Sequence, residues 1–144
     1  MIRRAEEKDL GRIAEILVFN NRLNFFPIFR DEEYSFGEMT VEKQKCALRE
    51  GLDGTYVYED GILRGFIRVS GTEIVRLYVE PALQGKGVGA ALLEFAAENC
   101  GADHLWALEK NTGALRFYAR HGFVPSGERQ HEEDTAEWLI LLKK

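Results

Sequence analysis

Apolar residues recur along this chain with two different spacings, and the change from one to the other divides it. Met1 to Ala5 is a short candidate strand. Leu10, Ile13, Ile16 and Leu17 then fall three to four residues apart, which predicts a helix over about residues 8–19. From Asn20 to Met39 no period holds, and Phe25, Phe26, Phe29, Tyr34 and Phe36 are gathered around Pro27. So aromatic and irregular a segment reads either as packing against a core or as a lid over a bound molecule. Thr40 is a candidate N-cap for a second helix that stops at Gly51.

From Thr55 the pattern is that of strands. Thr55–Glu59, Ile62–Val69 and Thr72–Val79 are separated by Asp60-Gly61 and Ser70-Gly71, both turn dipeptides, so an antiparallel meander is predicted. Its third strand is rich in β-formers, and only Arg76 is charged between Ile74 and Val79. Val88, Leu92, Phe95, Ala96 and Asn99 restore the helical spacing, and Gly101 is a good stop. His104–Leu108 is a further strand, parallel to its predecessor if the helix is a right-handed crossover. Asn111 and Thr112 could cap a helix through His121, closed by Gly122. Phe123–Ser126 and Ala136–Leu142 read as the last strands, around the acidic segment Glu128–Asp134. The predicted order is β-α-α-β-β-β-loop-α-β-α-β-β.

Composition removes several function classes. At 144 residues the length fits one domain over 1–144, and a net charge of −5 argues against a nucleic-acid surface. No apolar stretch approaches the roughly 18–20 residues of a membrane span. Met1–Glu7 lacks a signal-like apolar region. Cys46 and Cys100 are too few for a disulfide framework and have no metal-ligand pattern beside them, so a reducing cytoplasm and no metal are expected. His104, His121 and His131 lie at a strand start, a helix end and a polar loop.

The chemistry is concentrated in Gln84-Gly85-Lys86-Gly87-Val88-Gly89, between a strand and a helix. Glycines let the backbone approach a ligand, and a helix N-terminus offers free N–H donors that suit phosphate. A Walker loop would need Ser or Thr after its lysine, where Gly87 stands. A dinucleotide fingerprint is met by Gly85, Gly87 and Ala90, with Glu109 near the expected ribose-binding acid. However, Glu80-Pro81-Ala82-Leu83-Gln84 intervenes between strand and glycine, and an antiparallel meander is foreign to that fold. The third pattern, Gln-x-x-Gly-x-Gly, is met by Gln84, Gly87 and Gly89. It resembles the acetyl-CoA-binding loop of the GNAT superfamily of N-acetyltransferases. A second motif, Asn111, Ala114, Phe117, Tyr118, Gly122 and Phe123, is similar to a later helix of the same superfamily. The element order resembles it over essentially the whole chain. The implied fold is α/β (α+β), with a mixed, mostly antiparallel sheet of six or seven strands and four helices.

The resemblance implies transfer of acetyl from acetyl-CoA to a primary amine, in a small molecule or a peptide, by direct attack on the thioester. It assigns the pyrophosphate to Gln84, Gly85, Lys86, Gly87, Val88 and Gly89, and the pantetheine arm to the backbone of Leu77, Tyr78 and Val79. The resemblance also implies that Tyr118 faces the leaving sulfur. A phenol is a weaker acid than a thiol, so it is expected to hydrogen-bond the sulfur rather than protonate it. Asn111 is either a cofactor contact or a helix cap. Glu73, eleven residues before Gln84, matches the general base of some histone-type members, with Tyr78 or water as alternatives. Asp31, Glu32, Glu33 and Glu38, with Glu132, Glu133 and Asp134, would flank the acceptor and suit a cationic amine. Neither nucleic acid nor membrane is an expected partner, and a homodimer is compatible with the fold. The competing functions are a non-catalytic acyl-CoA sensor of the same fold and, more remotely, a dinucleotide-binding oxidoreductase.

Overall fold

A computed structural model describes residues 1–144. Strands β1 (Ile2–Arg4), β2 (Thr55–Asp60), β3 (Ile62–Ser70), β4 (Glu73–Val79), β5 (His104–Leu108), β6 (Val124–His131) and β7 (Trp138–Lys143) form one sheet in the order β1-β2-β3-β4-β5-β7-β6. All neighbours are antiparallel except β4 and β5. The two predicted hairpin turns are present, with Gly61 at φ +77° and Gly71 at φ +62°, a backbone region that costs glycine nothing.

Each face of the sheet carries its own apolar layer. Helices α1 (Leu10–Asn20) and α3 (Val41–Arg49) cover Val57 and Phe66 on one face, where the spaced residues Leu10, Ile13, Ile16 and Leu17 are all buried. Helix α4 (Val88–Cys100) sets Val88, Leu92, Leu93 and Ala96 against Ile67, Ile74 and Leu105 on the other. Phe66 and Ile67, adjacent in β3, thus bury into opposite layers, as the two-residue period of a strand requires. Helix α5 (Thr112–Arg120) joins the second layer through Leu115, Phe117 and Tyr118.

Two expectations are corrected. The segment from Asn20 to Met39 is helical: a π-helical turn at Asn21–Phe25, a short α2 (Phe26–Phe29) and a second π-helical turn at Glu33–Glu38. Bonds from i to i+5 add a residue to each turn, so apolar positions slip out of the α-helical phase and no period survives. The helices therefore number five rather than four. Strand β6 continues to His131, well past Ser126, because it is an exposed edge strand with no buried face to impose alternation.

What matters most for function is the pairing of β4 with β5. It is confined to Glu73–His104 and Ile74–Leu105. Beyond those pairs β4 bonds only to β3, and β5 only to β7. The two parallel strands part like the arms of a wedge. Against β3, Arg76 lies opposite Arg68 and Ile74 opposite Val69, which leaves Val75 as a bulge at the point of parting.

Candidate active site

The parting strands open a cleft of about 1560 Å³, walled by Ile74–Val79 on one side and Leu105–Leu108 on the other. Both walls present backbone N–H and C=O groups with no strand between them, the condition for an extended ligand to add as a strand. Leu77, Tyr78 and Val79 all border the cleft.

At one end lies the glycine loop. Gly85 and Gly87 both have φ +82°, and a Cβ built on either would have nothing within 4 Å. The cradle is open, and its conformation excludes ordinary side chains at low cost. Gly87 caps α4 without a side-chain bond, so the first-turn N–H groups at Val88 and Gly89 point from a free helix end. Gly89 has a different reason to be glycine: a Cβ there would come within 3.3 Å of the Phe117 ring, so it lets α4 lie close to α5. Lys86 is the one loop residue from Gln84 to Ala90 that does not border the cleft. The Gln84 side chain fastens the loop, with Nε2 donating to Asn20 Oδ1 and to the Val79 carbonyl, both at 3.3 Å.

Asn20 is a residue that sequence reasoning missed. It is 3% exposed, and its Nδ2 donates to the carbonyls of Ile16 and Val79, both at 2.9 Å. One amide therefore ties α1 to the end of β4 and, through Gln84, to the glycine loop. The signal was available: Asn20 continues the Ile13–Ile16–Leu17 stripe as its only polar member.

Two tyrosines line the cleft, Tyr78 from β4 and Tyr118 from α5. Tyr118 packs edge-on to Phe117 and Phe123 at 5.3 and 6.4 Å, and Tyr78 rests against Phe66 and Phe25 at 5.7 and 6.3 Å. Burial pushes the Tyr118 phenol well above its ordinary range, and the nearby Tyr78 pushes it further. Burial likewise raises Tyr78. Both are neutral hydroxyls throughout the physiological range, able to donate hydrogen bonds but not to serve as ready bases. Asn111 borders the cleft and also caps α5, its Oδ1 accepting from the Ala114 N–H at 3.4 Å.

Glu73 is not brought to this cavity. It sits at the closed end of the wedge, opposite Ser70 and His104, and does not border the cleft. Leu77 is four residues further along the strand, roughly 13 Å away at strand rise.

The other end of the cleft is acidic. Asp31, Glu33 and Glu38 reach it from the π-helical segment, and Glu132, Glu133 and Asp134 from the β6–β7 connection. Glu32 does not. Phe25, Phe29 and Tyr34 supply the aromatic side of this mouth. Burial raises the Tyr34 phenol as it does that of Tyr78; Arg76 opposes the rise at both and Glu132 adds to it. Arg76, also unremarked as a site residue from sequence, lines the same end. No group of three or more His, Cys, Asp or Glu converges as a metal site, and no helix is long and apolar enough to cross a membrane.

Comparison with known proteins agrees with this geometry. Residues 52–125 match the family model described as an acetyltransferase (GNAT) domain. An uncharacterized N-acetyltransferase of Mycobacterium tuberculosis is 33% identical over 110 residues, covering 69% of each chain. The peptidyl-lysine N-acetyltransferase YjaB of Salmonella typhimurium is 31% identical over 78 residues, 54% of this chain and 53% of that one. The fold matches the crystal structure of the PaiA N-acetyltransferase from Thermoplasma acidophilum in complex with coenzyme A, with a TM-score of 0.70 at 22% identity over 100% of this chain and 98% of that one. A wedge between parallel strands, a glycine cradle at its end and a matched model across both place the chain in the GNAT acetyltransferase family.

Proposed function

We propose that this chain is one acetyl-CoA-dependent N-acetyltransferase domain that acetylates a primary amine by direct attack on the thioester. The observation that carries the proposal is one cleft lined together by the open glycine cradle, Tyr118 and the acidic residues of two segments. The residues present fit coenzyme A: a nest of free N–H groups suits a pyrophosphate, and the unpaired edge of β4 suits an amide-bearing pantetheine arm. When bound, acetyl-CoA supplies the thioester carbonyl carbon that an amine attacks.

The positions of the chain's own groups support the following roles. Backbone N–H groups from Gly85 to Gly89 hold the pyrophosphate, and Gln84 holds the loop through Asn20. Lys86 is left to long-range attraction, and Asn111 to shaping the turn that carries Tyr118. N–H groups of Leu77, Tyr78 or Val79 receive the negative charge that grows on the carbonyl oxygen. Tyr118 keeps its proton and hydrogen-bonds the departing thiolate, which its raised pKa favours over proton donation. The acidic mouth draws in a cationic amine. Glu132 is the carboxylate assigned the amine's proton, directly or through water, in place of Glu73.

Release of free thiol from acetyl-CoA, followed across a panel of primary amines including a lysine peptide, tests the proposal. Amine-dependent release is expected. Acetyl-CoA binding without release for any amine would leave an acyl-CoA sensor, and NAD binding without CoA binding would overturn the assignment altogether.

A further inference from the structure

Only two side-chain polar atoms are buried without a hydrogen-bond partner, Asn21 Oδ1 and Arg76 Nε, and both residues border the cleft. Such groups are expensive to leave unpaired, and two in one cavity mark where an occupant supplies the missing bonds. Arg76 belongs to none of the ion pairs and, among the arginines outside them, is the only one with a buried nitrogen left without a partner. Its cross-strand neighbour is Arg68, a like charge, whose guanidinium lies over Gly51. The sheet therefore offers Arg76 no counter-charge.

Position decides which ligand Arg76 serves. It shares a sheet face with Tyr78, two residues on, toward α1 and the acidic mouth. Leu77 and Val79 point to the opposite face, toward α4. Arg76 thus stands on the α1 face of the sheet, opposite the face against which α4, the helix that leaves the glycine cradle, is packed. Its positive charge and the negative charge of Glu132 act on the same two phenols, Tyr34 and Tyr78, yet the two groups do not pair. A cation and carboxylates held apart around one pair of tyrosines form the complement of a zwitterion.

We propose that the acceptor is an amine that also carries a carboxylate, with Arg76 binding the carboxylate and the acidic side of the mouth taking the amine. The inference rests on the acetyltransferase reading and adds the substrate class. A guanidinium fork matches a carboxylate with two parallel hydrogen bonds. Asn21, 2% exposed and with its Oδ1 unpartnered, lines the same cleft as a second polar group without a bond.

Matched acceptors test this directly: lysine against cadaverine, and ornithine against putrescine, each pair differing by one carboxylate. Wild type should favour the carboxylated member in kcat/KM by about 10–100-fold, the worth of a charged hydrogen-bonding contact. In Arg76→Met that ratio should collapse toward unity through a higher KM for the amino acid, while Arg76→Lys restores part of it. Equal use of both members by wild type, or a ratio unaltered in folded Arg76→Met, would overturn the inference and leave the acetyltransferase reading standing. Calorimetric binding of lysine or ornithine with CoA present, without acetyl transfer, would sink that reading instead and keep the Arg76 assignment. Neither binding nor transfer of any carboxylated amine overturns the inference.

Discussion

Tyr118 illustrates how burial selects among the things one side chain can do. In water a phenol is already a weaker acid than a thiol, and the cleft widens the gap by raising the phenol further. In the proposed reaction its hydroxyl would donate a hydrogen bond to the sulfur, and the value of that bond would lie in the transition state. Tyr118→Phe should lower kcat by roughly ten- to a thousandfold with little change in acetyl-CoA affinity. Wild-type turnover in that variant would reduce Tyr118 to a packing residue. For the proton acceptor, Glu73 and Glu132 make opposite predictions. Glu73→Gln should show the wild-type pH–rate profile, because that carboxylate stands outside the cleft. Glu132→Gln should lose activity at neutral pH, toward the lower end of the 10²–10⁴-fold range of general bases, about a hundredfold. The loss should shrink as pH rises, since an amine with a pKa of about 10.4 then arrives increasingly deprotonated. A large loss for Glu73→Gln with an indifferent Glu132→Gln would reverse the assignment.

At the scale of elements, the cradle is an arrangement of three parts fastened to each other. Asn20 at the end of α1 holds Val79 at the end of β4 and Gln84 at the start of the loop. Gly89 seats the first turn of α4 against Phe117 of α5. Between these fixed points, Gly85 and Gly87 turn through left-handed conformations that present the backbone N–H groups. Gly87→Val would force a β-branched residue to φ +82°, a strain of about 1–3 kcal/mol, and place its methyls in the cradle. The variant should melt lower and bind acetyl-CoA at least about tenfold more weakly by calorimetric titration, one 1.4 kcal/mol step in affinity. Undiminished affinity in a folded Gly87→Val protein would rule out the loop as the pyrophosphate site.

Across the whole molecule, one charged cluster binds the first strand to the first helix. Arg3 donates through Nη1 and Nη2 to the two oxygens of Asp9 at 2.8 and 3.0 Å, and Asp9 also accepts from the Glu6 N–H at 2.8 Å. These bonds, Arg3 first, hold the Asp9 carboxyl below its ordinary value against the opposing effect of burial. A carboxyl whose folded pKa is depressed contributes stability that is present above its unfolded pKa, about 3.9, and lost as pH falls through the lower folded value. Asp9→Asn should therefore destabilise by about 1–3 kcal/mol at neutral pH, with the deficit vanishing in acid below both values. Denaturant melts of both proteins from neutral pH down to about 2 measure this, and a deficit independent of pH would show that shape rather than charge matters at Asp9.

The sequence by itself determined the order of the strands and of the helices outside Asn20–Met39, the two hairpins and the glycine loop, because each is written in local signals. Period-two strands, Asp-Gly and Ser-Gly turns and a glycine-bounded helix act on neighbouring residues and need no distant partner. Gly87 and Tyr118 were singled out by resemblance to family motifs and the two acidic segments by their charge, and all of these border the cleft. Local signals failed where a π-helical turn shifted the phase over Asn21–Phe25, and where edge strand β6 had no buried face to mark its length. They could not show that β4 and β5 share only two paired positions, which creates the cleft and leaves Glu73 at its closed end. Nor could they join Asn20 to Gln84, or set Arg76 against the acidic mouth without a partner, since these relations run between residues far apart in the chain. Propensity is a property of a segment, whereas a site is made by the separations that packing imposes between segments. The tertiary structure alone decided those.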